Sequence, residues 1–356
     1  MTRGLYLGAV TLVVVALLSG SAEGAYDPVA RGATEIDFAS SFLRALRGAD
    51  VKLEVRDGER HAGRVTLQAM GGEVDPRAGK GTIENRGTII FAAGGRKVIL
   101  RSVVFKAKRV PMYAKVGGGK LKLATAGGLA WRRAGFGAAF TARGLRLSSK
   151  LATRLDKKLR LGHALFPGQL LGTVRVEAQP ATVHLRQEGR LYLALAPAFA
   201  AKLNALFVSL NPVAPAELAG GPTLSFPVGA ESALAPDAAT GVVKLGGQVE
   251  LLQLGSAQMF WREIWLEPAS AALFAETDVE PVPPNPGALP QGPLLSVSAD
   301  GTVSSDPKAR TISIAGRSAV LTSSAAKLLN DAFADGASSF SAGEPVGAVS
   351  LAGRAE

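Results

Sequence analysis

The chain has 356 residues, 47% of them hydrophobic, no cysteine, and a formal charge of +11 at a sequence pI near 10.0. The missing cysteines exclude a disulfide framework, a thiol nucleophile, a thiolate metal site and a lipid-anchored cysteine. Stability has to come from burial alone.

In chain order, Arg3 precedes an uncharged apolar run from Leu5 to Leu18 and then the small, polar stretch Ser19 to Gly24. Residues 1–24 read as a secretory signal peptide, cut after Ala22 or Gly24, which directs the product to the outside or to the cell envelope. The run reaches only about 20 Å as a helix, short of the roughly 30 Å hydrocarbon core of a bilayer. An uncleaved anchor is the alternative.

Phe38 to Leu46 is predicted to be a helix. Strict alternation then marks half-buried strands at Val51, Leu53 and Val55, at Val65 and Leu67, at Ile89 and Phe91, at Val98 and Leu100, and at Leu121 and Leu123. Asp57-Gly58, Gly71-Gly72, Gly94-Gly95 and Gly117 to Gly119 supply turns between them. Ser148 or Ser149 caps a helix whose Leu151, Leu155 and Leu159 share one stripe, and Gly162 stops it.

Alternation resumes at Val174 and Val176, Val183 and Leu185, and Leu191, Leu193 and Leu195, before a helix from Phe199 to Phe207. The prolines of segment 280–293 predict an extended loop. Ile312 and Ile314 mark another strand, and Thr322 or Ser323 caps a last helix with Ala325, Leu329 and Phe333 inward and Gly336 at its end. The fold class is all-β: two tandem antiparallel β-sandwich domains with a few short helices.

The tandem reading comes from the chain matching itself. Gly81 to Phe91 runs in step with Gly241 to Leu251. Leu147-Ser148-Ser149, Leu155-Asp156, Phe166 and Gly172-Thr173-Val174 match Leu321-Thr322-Ser323, Leu329-Asn330, Phe340 and Gly347-Ala348-Val349. The domains are placed at residues 34–179 and 180–356, each long enough for its own core.

Charge is split between them. Arg31 to Ala178 holds 29 Lys and Arg against 11 Asp and Glu, whereas Gln179 to Glu356 holds 10 against 16. Lys150, Arg154, Lys157 and Lys158 on the first capped helix match Ser324, Leu328, Asp331 and Ala332; Lys106, Lys108 and Arg109 match Leu266, Pro268 and Ala269. The repeated fold does not require these seven cations. They are candidates for docking on an anionic lipid, a teichoic-type polymer or an acidic polysaccharide, with a merely solvated face as the alternative. Aromatics interleaved with the cations are too sparse for nucleic acid.

Catalytic patterns are missing. His61, His163 and His184 have no ligand spacing, and there is no Gly-x-Ser-x-Gly elbow. Gly72 to Thr82 imitates a phosphate loop but has the wrong glycine spacing, and reads as a hairpin. Asp237, Glu250, Glu263, Glu267, Glu276 and Asp278 leave an envelope hydrolase as an alternative without a reason for any pair to converge. Trp131, Trp261 and Trp265 are stacking platforms or core.

Leu224 to Gly229, Ala239 to Val249, Leu266 to Leu273 and the closing Leu321 to Phe333 and Phe340 to Glu344 resemble the HtaA-type domain of actinobacterial haem-acquisition proteins. The resemblance implies an exported β-sandwich that holds haem iron through a tyrosine near the domain start, helped by a histidine after a strand glycine. Here those places read Phe38 to Leu46 and Phe199 to Leu206 without tyrosine, and Gly94-Gly95-Arg96 and Leu254-Gly255-Ser256 without histidine. No resident cofactor is therefore expected from these positions. A haem carrier using Tyr113 or Tyr192 as a substitute ligand is an alternative to a non-enzymatic protein docking on an anionic envelope component.

Overall fold

Apolar alternation becomes one curved antiparallel sheet in each half of the chain. The computed structural model describes residues 26–107, 111–280, 292–334 and 338–356. The expected signal peptide, Lys108, Arg109, segment 281–291 of the proline-rich loop and Gly336, the expected stop of the last helix, lie outside the described residues.

The first half runs β1 (Asp27–Phe38), α1 (Ser40–Gly48), β2 (Lys52–Arg56), β3 (Glu59–His61), β4 (Arg64–Asp75), β5 (Lys80–Arg86) and β6 (Thr88–Ala93). It continues with β7 (Arg96–Lys106), β8 (Pro111–Val116), β9 (Gly119–Thr125), β10 (Gly128–Ala134), β11 (Gly137–Leu147), α2 (Ser149–Leu159) and β12 (Leu170–Pro180). The second half runs β13 (Val183–His184), β14 (Arg190–Leu195), α3 (Pro197–Ala205), β15 (Val208–Val213), β16 (Glu217–Leu218), β17 (Thr223–Pro227), β18 (Ala233–Leu234) and β19 (Gly241–Lys244). Then come β20 (Gln248–Gln253), β21 (Ala257–Glu267), β22 (Ala272–Glu280), β23 (Gly292–Val297), β24 (Thr302–Asp306), β25 (Thr311–Leu321), α4 (Ser323–Phe333) and β26 (Pro345–Arg354).

In the first half the order β1-β4-β5-β7-β8-β9-β11-β12 returns to β1, so the sheet closes into a ring. Closure depends on β7, which pairs with β6 through Arg96 to Arg101, then bends at Ser102 (φ 49°) and pairs with β5 and β8. The second half repeats the circuit as β14-β17-β19-β21-β22-β23-β25-β26. Its last gap is spanned by the Val228–Leu245 bridge and by Gly246 N–H donating to the Pro227 carbonyl at 2.8 Å. The two layers expected for each half are thus opposite walls of one continuous sheet.

Each ring has its own core. Val65, Leu67, Ile83 and Phe105 are fully buried in the first, and Leu191, Val243, Leu251 and Ile312 in the second. Burying one such side chain stabilises by about 1.5–3 kcal/mol. The helices plug the rings with their apolar stripes: Phe42 and Leu46 from α1, Leu151, Leu155 and Leu159 from α2, and Leu329 and Phe333 from α4.

The duplication extends to atoms. Ser148 Oγ accepts from Leu151 N at 3.1 Å and donates to the Lys122 carbonyl at 2.5 Å; Thr322 Oγ1 accepts from Ala325 N at 3.1 Å and donates to the Pro293 carbonyl at 2.7 Å. At Gly172 a Cβ would stand 1.9 Å from the Asp37 carbonyl oxygen, and at Gly347 one would stand 2.0 Å from that of Ala194. Both strand crossings therefore require glycine. One sequence match shifts by a residue: Phe166 is 58% exposed, and Leu165, 3% exposed, occupies the place of Phe340.

Phe136, at the tip of the β10–β11 hairpin, is buried against the core of the second half. Arg310, 7% exposed, donates from Nη1 to the Gly135 and Phe136 carbonyls at 2.9 Å each and from Nη2 to the Glu356 carbonyl. His184 does not simply face outward as a strand histidine: its Nδ1 lies 2.9 Å from the buried Asp27 carboxylate, which also accepts from His184 N at 3.1 Å. Burial pushes the Asp27 carboxyl above its ordinary value near 3.8, against the pull of its hydrogen bonds to His184 and the charge of Arg310.

Candidate anion-binding site

The cations of the first half gather where β8 and β9 meet α2. The hairpin turn at Gly117-Gly118 lets β8 and β9 run side by side, placing Lys115 opposite Lys120. Alternation puts Lys122 on the same side of β9 as Lys120. Ser148 starts α2 directly above Lys122, and the helix buries its leucines and turns Lys150, Arg154, Lys157 and Lys158 to solvent.

Three concavities follow one another along this surface. A cavity of about 740 Å³ is lined by Arg86, Arg101, Lys115 and Lys120 together with Met70, Asn85 and Tyr113. The next, about 580 Å³, shares Tyr113 and Lys120 with it and adds Lys122, Arg146 and Lys150. The third, about 570 Å³, shares Ser149 and Lys150 with the second and adds Arg154, Lys157 and Lys158. Shared walls make them a single trough.

Ten Lys and Arg side chains line it against one carboxylate, that of Glu84. None of the ten makes an ion pair with a described carboxylate, in contrast to Arg64 and Arg175 around Asp37, whose carboxyl they hold below its usual range. Lys120 Nζ lies 4.9 Å from the centre of the Tyr113 ring. A concave surface lined by one sign of charge focuses its field and raises the local concentration of counter-ions.

The second half supplies the control. The carbonyl-cap contact pairs Lys122 with Pro293, and the α2–α4 equivalence pairs Lys150, Arg154, Lys157 and Lys158 with Ser324, Leu328, Asp331 and Ala332. The same backbone is built there without a single one of these cations.

Of the residues singled out by sequence, Lys150, Arg154, Lys157 and Lys158 come together in the third cavity. Lys106 does not join them; it sits at the end of β7 opposite Thr82, outside the trough walls. Arg86, Arg101, Lys115, Lys120, Lys122 and Arg146 were not singled out. Lys120 and Lys122 carried a usable signal, two cations alternating on a strand beside a Gly-Gly turn.

Tyr113 lines the first two cavities, whereas Tyr192 lies half-buried on β14 between Ser225 and Ser350 and lines none of the cavities described here. The places where the family resemblance implies haem ligands do not fit haem. Phe42 and Phe199 are fully buried phenyl rings that pack in the cores and have no lone pair for iron. Among the described residues no three His, Cys, Asp or Glu side chains cluster as a metal site.

The remaining candidates are occupied elsewhere. His61 is exposed in the β3–β4 hairpin, and His163 is exposed beside Asp156. Asp75 Oδ1 accepts from Arg77 N and Ala78 N, making the loop-like Gly72 to Thr82 segment a β4–β5 hairpin. Glu250 holds Asn211 and Gln258, Asp278 pairs with Arg262, and Glu267 accepts from Ser270. Trp261 is buried, Trp265 stacks on Phe274 at 5.0 Å, and Trp131 covers Gly79.

The fold and the trough define an all-β protein of two successive, similar rings, one of which carries a cationic concavity. No family model matches the chain, and no curated protein matches it. Among solved structures it is similar to the C-terminal domain of HtaA from Corynebacterium glutamicum, at 16% identity and a TM-score of 0.33, over 43% of this chain and 98% of that domain. It is also similar to the N-terminal domain of HtaA from Corynebacterium glutamicum, at 15% identity and a TM-score of 0.35, over 47% of this chain and 97% of that domain.

Proposed function

We propose that the protein is a non-enzymatic, exported binding protein whose first half docks on an anionic envelope component through the trough. The observation that carries this is the line of ten cations without carboxylate partners in the first half, of which the four on α2 have no counterpart on the equivalent helix of the other. A fold that keeps like charges together against their repulsion, where its own twin does without them, has a use for them other than stability. The test is retention of the protein on anionic vesicles or isolated cell-wall material as salt is raised. Retention that falls steeply with salt is the expected result. Retention that is equal at low and high salt, or none at all, contradicts the proposal.

A second reading is favoured by the first cavity. Tyr113 and Met70 line it together with Arg86, Arg101, Lys115 and Lys120, which places a phenol oxygen and a thioether beside cations suited to carboxylates. On this reading the cavity takes haem, Tyr113 supplies an iron ligand and the cations hold the propionates. Adding haemin to the purified protein then gives a visible band that Tyr113→Phe removes and Tyr192→Phe leaves in place. No band in the wild-type protein refutes it.

A further inference from the structure

We infer that Phe207 and Leu254 form an apolar tip on the second half that inserts into the acyl surface of a lipid bilayer. The tip is separate from the trough, whose walls all belong to the first half, and the inference goes beyond the docking proposed above.

Phe207 follows α3, and Leu254 lies in the turn between β20 and β21. The β15–β20 ladder ends at the Val208–Gln253 pair, so the next residues outward are Phe207 on one segment and Leu254 on the other. Gln253 Nε2 donates to the Leu206 carbonyl at 2.8 Å and ties the two segments together. Phe207 is 83% exposed and Leu254 84%, the highest values of any large hydrophobic side chain among the described residues.

The first half builds the same corner from different residues. Asp50 N donates to the Arg47 carbonyl at 3.1 Å with φ at 47°, and Phe207 N donates to the Asn204 carbonyl at 3.0 Å with φ at 56°. Each is followed by a buried valine, Val51 or Val208. A left-handed backbone tolerates Asp and disfavours a bulky ring. The facing turn is Gly94-Gly95 in the first half and Leu254 to Ser256 in the second. The corner therefore needs neither Phe nor Leu for its shape, and side chains left in water add nothing to the core.

Charge decides the kind of partner. Residues 204–209 and 253–258 contain no charged side chain, whereas the matching corner of the first half carries Arg47, Asp50, Lys52, Arg96 and Lys97. Lys202 on α3 is already neutralised: its Nζ lies 2.5 Å from the Glu344 carboxylate and donates to the Ser339 carbonyl at 2.9 Å. The exposed side of α3 adds Ala198, Ala201 and Ala205. Such a tip enters hydrocarbon without stripping water from a charge.

Size and shape favour lipid over protein. The two side chains expose on the order of 300 Å² of apolar surface, well under the roughly 800 Å² that each partner gives to a stable protein interface. Neither lines any of the cavities described above; they project, and acyl chains close around a projection of any outline.

The chain has no cysteine, so one introduced thiol carries a dye at a known place. The full chain with Ser256→Cys, bearing an environment-sensitive fluorophore, is titrated with phosphatidylcholine vesicles at high salt, which screens the trough. The emission is expected to brighten, shift to the blue and be quenched by nitroxide-labelled acyl chains. The same dye on Arg96→Cys, in the matching turn of the first half, should not respond. Adding Phe207→Asp and Leu254→Gly, the residues of the first half, should weaken the Ser256→Cys response at least about tenfold in vesicle affinity, with a melting temperature within a few degrees of the parent.

A dye that stays in water, or a double variant that inserts as well as its parent, overturns the inference. So does a blue shift that grows with protein concentration without lipid, which assigns the tip to a second copy. Haemin is the remaining comparator, because Leu254 to Ser256 is where the family resemblance places a histidine: equimolar quenching that blocks insertion would assign the tip to a flat macrocycle instead. Salt-sensitive retention on anionic material reads the trough independently, so it survives in the double variant if docking is right and fails in the parent if docking is wrong.

Discussion

Replacing Arg310 by Ala should loosen the two halves from each other more than it damages either. Its guanidinium holds two carbonyls of the β10–β11 turn and one at the chain's end, 2.9 Å away in the first two cases, and lies 6.0 Å from the ring of Phe136. Three hydrogen bonds from a charged donor at about 1.5 kcal/mol each give about 4–5 kcal/mol. Burying that charge works in the other direction. Desolvation is the main cause that lowers the Arg310 pKa, and Nε has no partner, which leaves a net loss of about 3 kcal/mol.

Calorimetry is the assay, because it separates loss of stability from loss of coupling. The wild-type protein should unfold in one transition or in two closely spaced ones. In Arg310→Ala the less stable half should melt earlier by several degrees as a resolved step, at about 2–4 °C per kcal/mol for a unit of this size. Arg310→Lys keeps the charge but cannot reach three acceptors, and should recover less than half. A change below about 1 kcal/mol with no separation of transitions would refute the role assigned to this residue.

Two further perturbations test the scaffold. Gly172→Ala and Gly347→Ala should each destabilise by about 2–3 kcal/mol, since each puts a methyl group within 2.0 Å of a carbonyl oxygen at equivalent strand crossings. Urea denaturation in which one costs nothing contradicts the equivalence. Asp27 contributes to pH dependence with a definite sign: its carboxyl is raised on folding, so its stabilising contribution is complete below about 3.8 and is lost as pH rises through the folded value. Asp27→Asn should remove that decline, read as wild-type minus variant stability as pH is raised from below the ordinary value near 3.8. A difference that instead grows with rising pH contradicts the burial argument.

Much of the scaffold is legible in the sequence because its signals are local. Alternation at Leu191, Leu193 and Leu195 follows directly from one side of a strand facing the core, and the Ser148 and Thr322 caps act within three residues. Ring closure is not local. It depends on β7 serving three neighbours after a bend at Ser102, a residue with no turn signature. The joint is hidden for the same reason, since Arg310 meets carbonyls 174 and 175 residues earlier in the chain. Four of the ten trough cations are legible as a charged helix face. The rest, on strands from Arg86 to Lys122 and at Arg146, is brought to that face only by the closed sheet.

As proposed, the trough is a binding feature added to a scaffold that the second half builds without the cations of α2. The most direct measurement gives α2 the residues of α4, Lys150→Ser, Arg154→Leu, Lys157→Asp and Lys158→Ala, and follows both thermal stability and binding to an anionic polymer across a salt series. The expected result is a melting temperature within a few degrees of wild type, as for exposed substitutions, and loss of most salt-sensitive binding. Unchanged binding, or a variant that no longer folds, would contradict it.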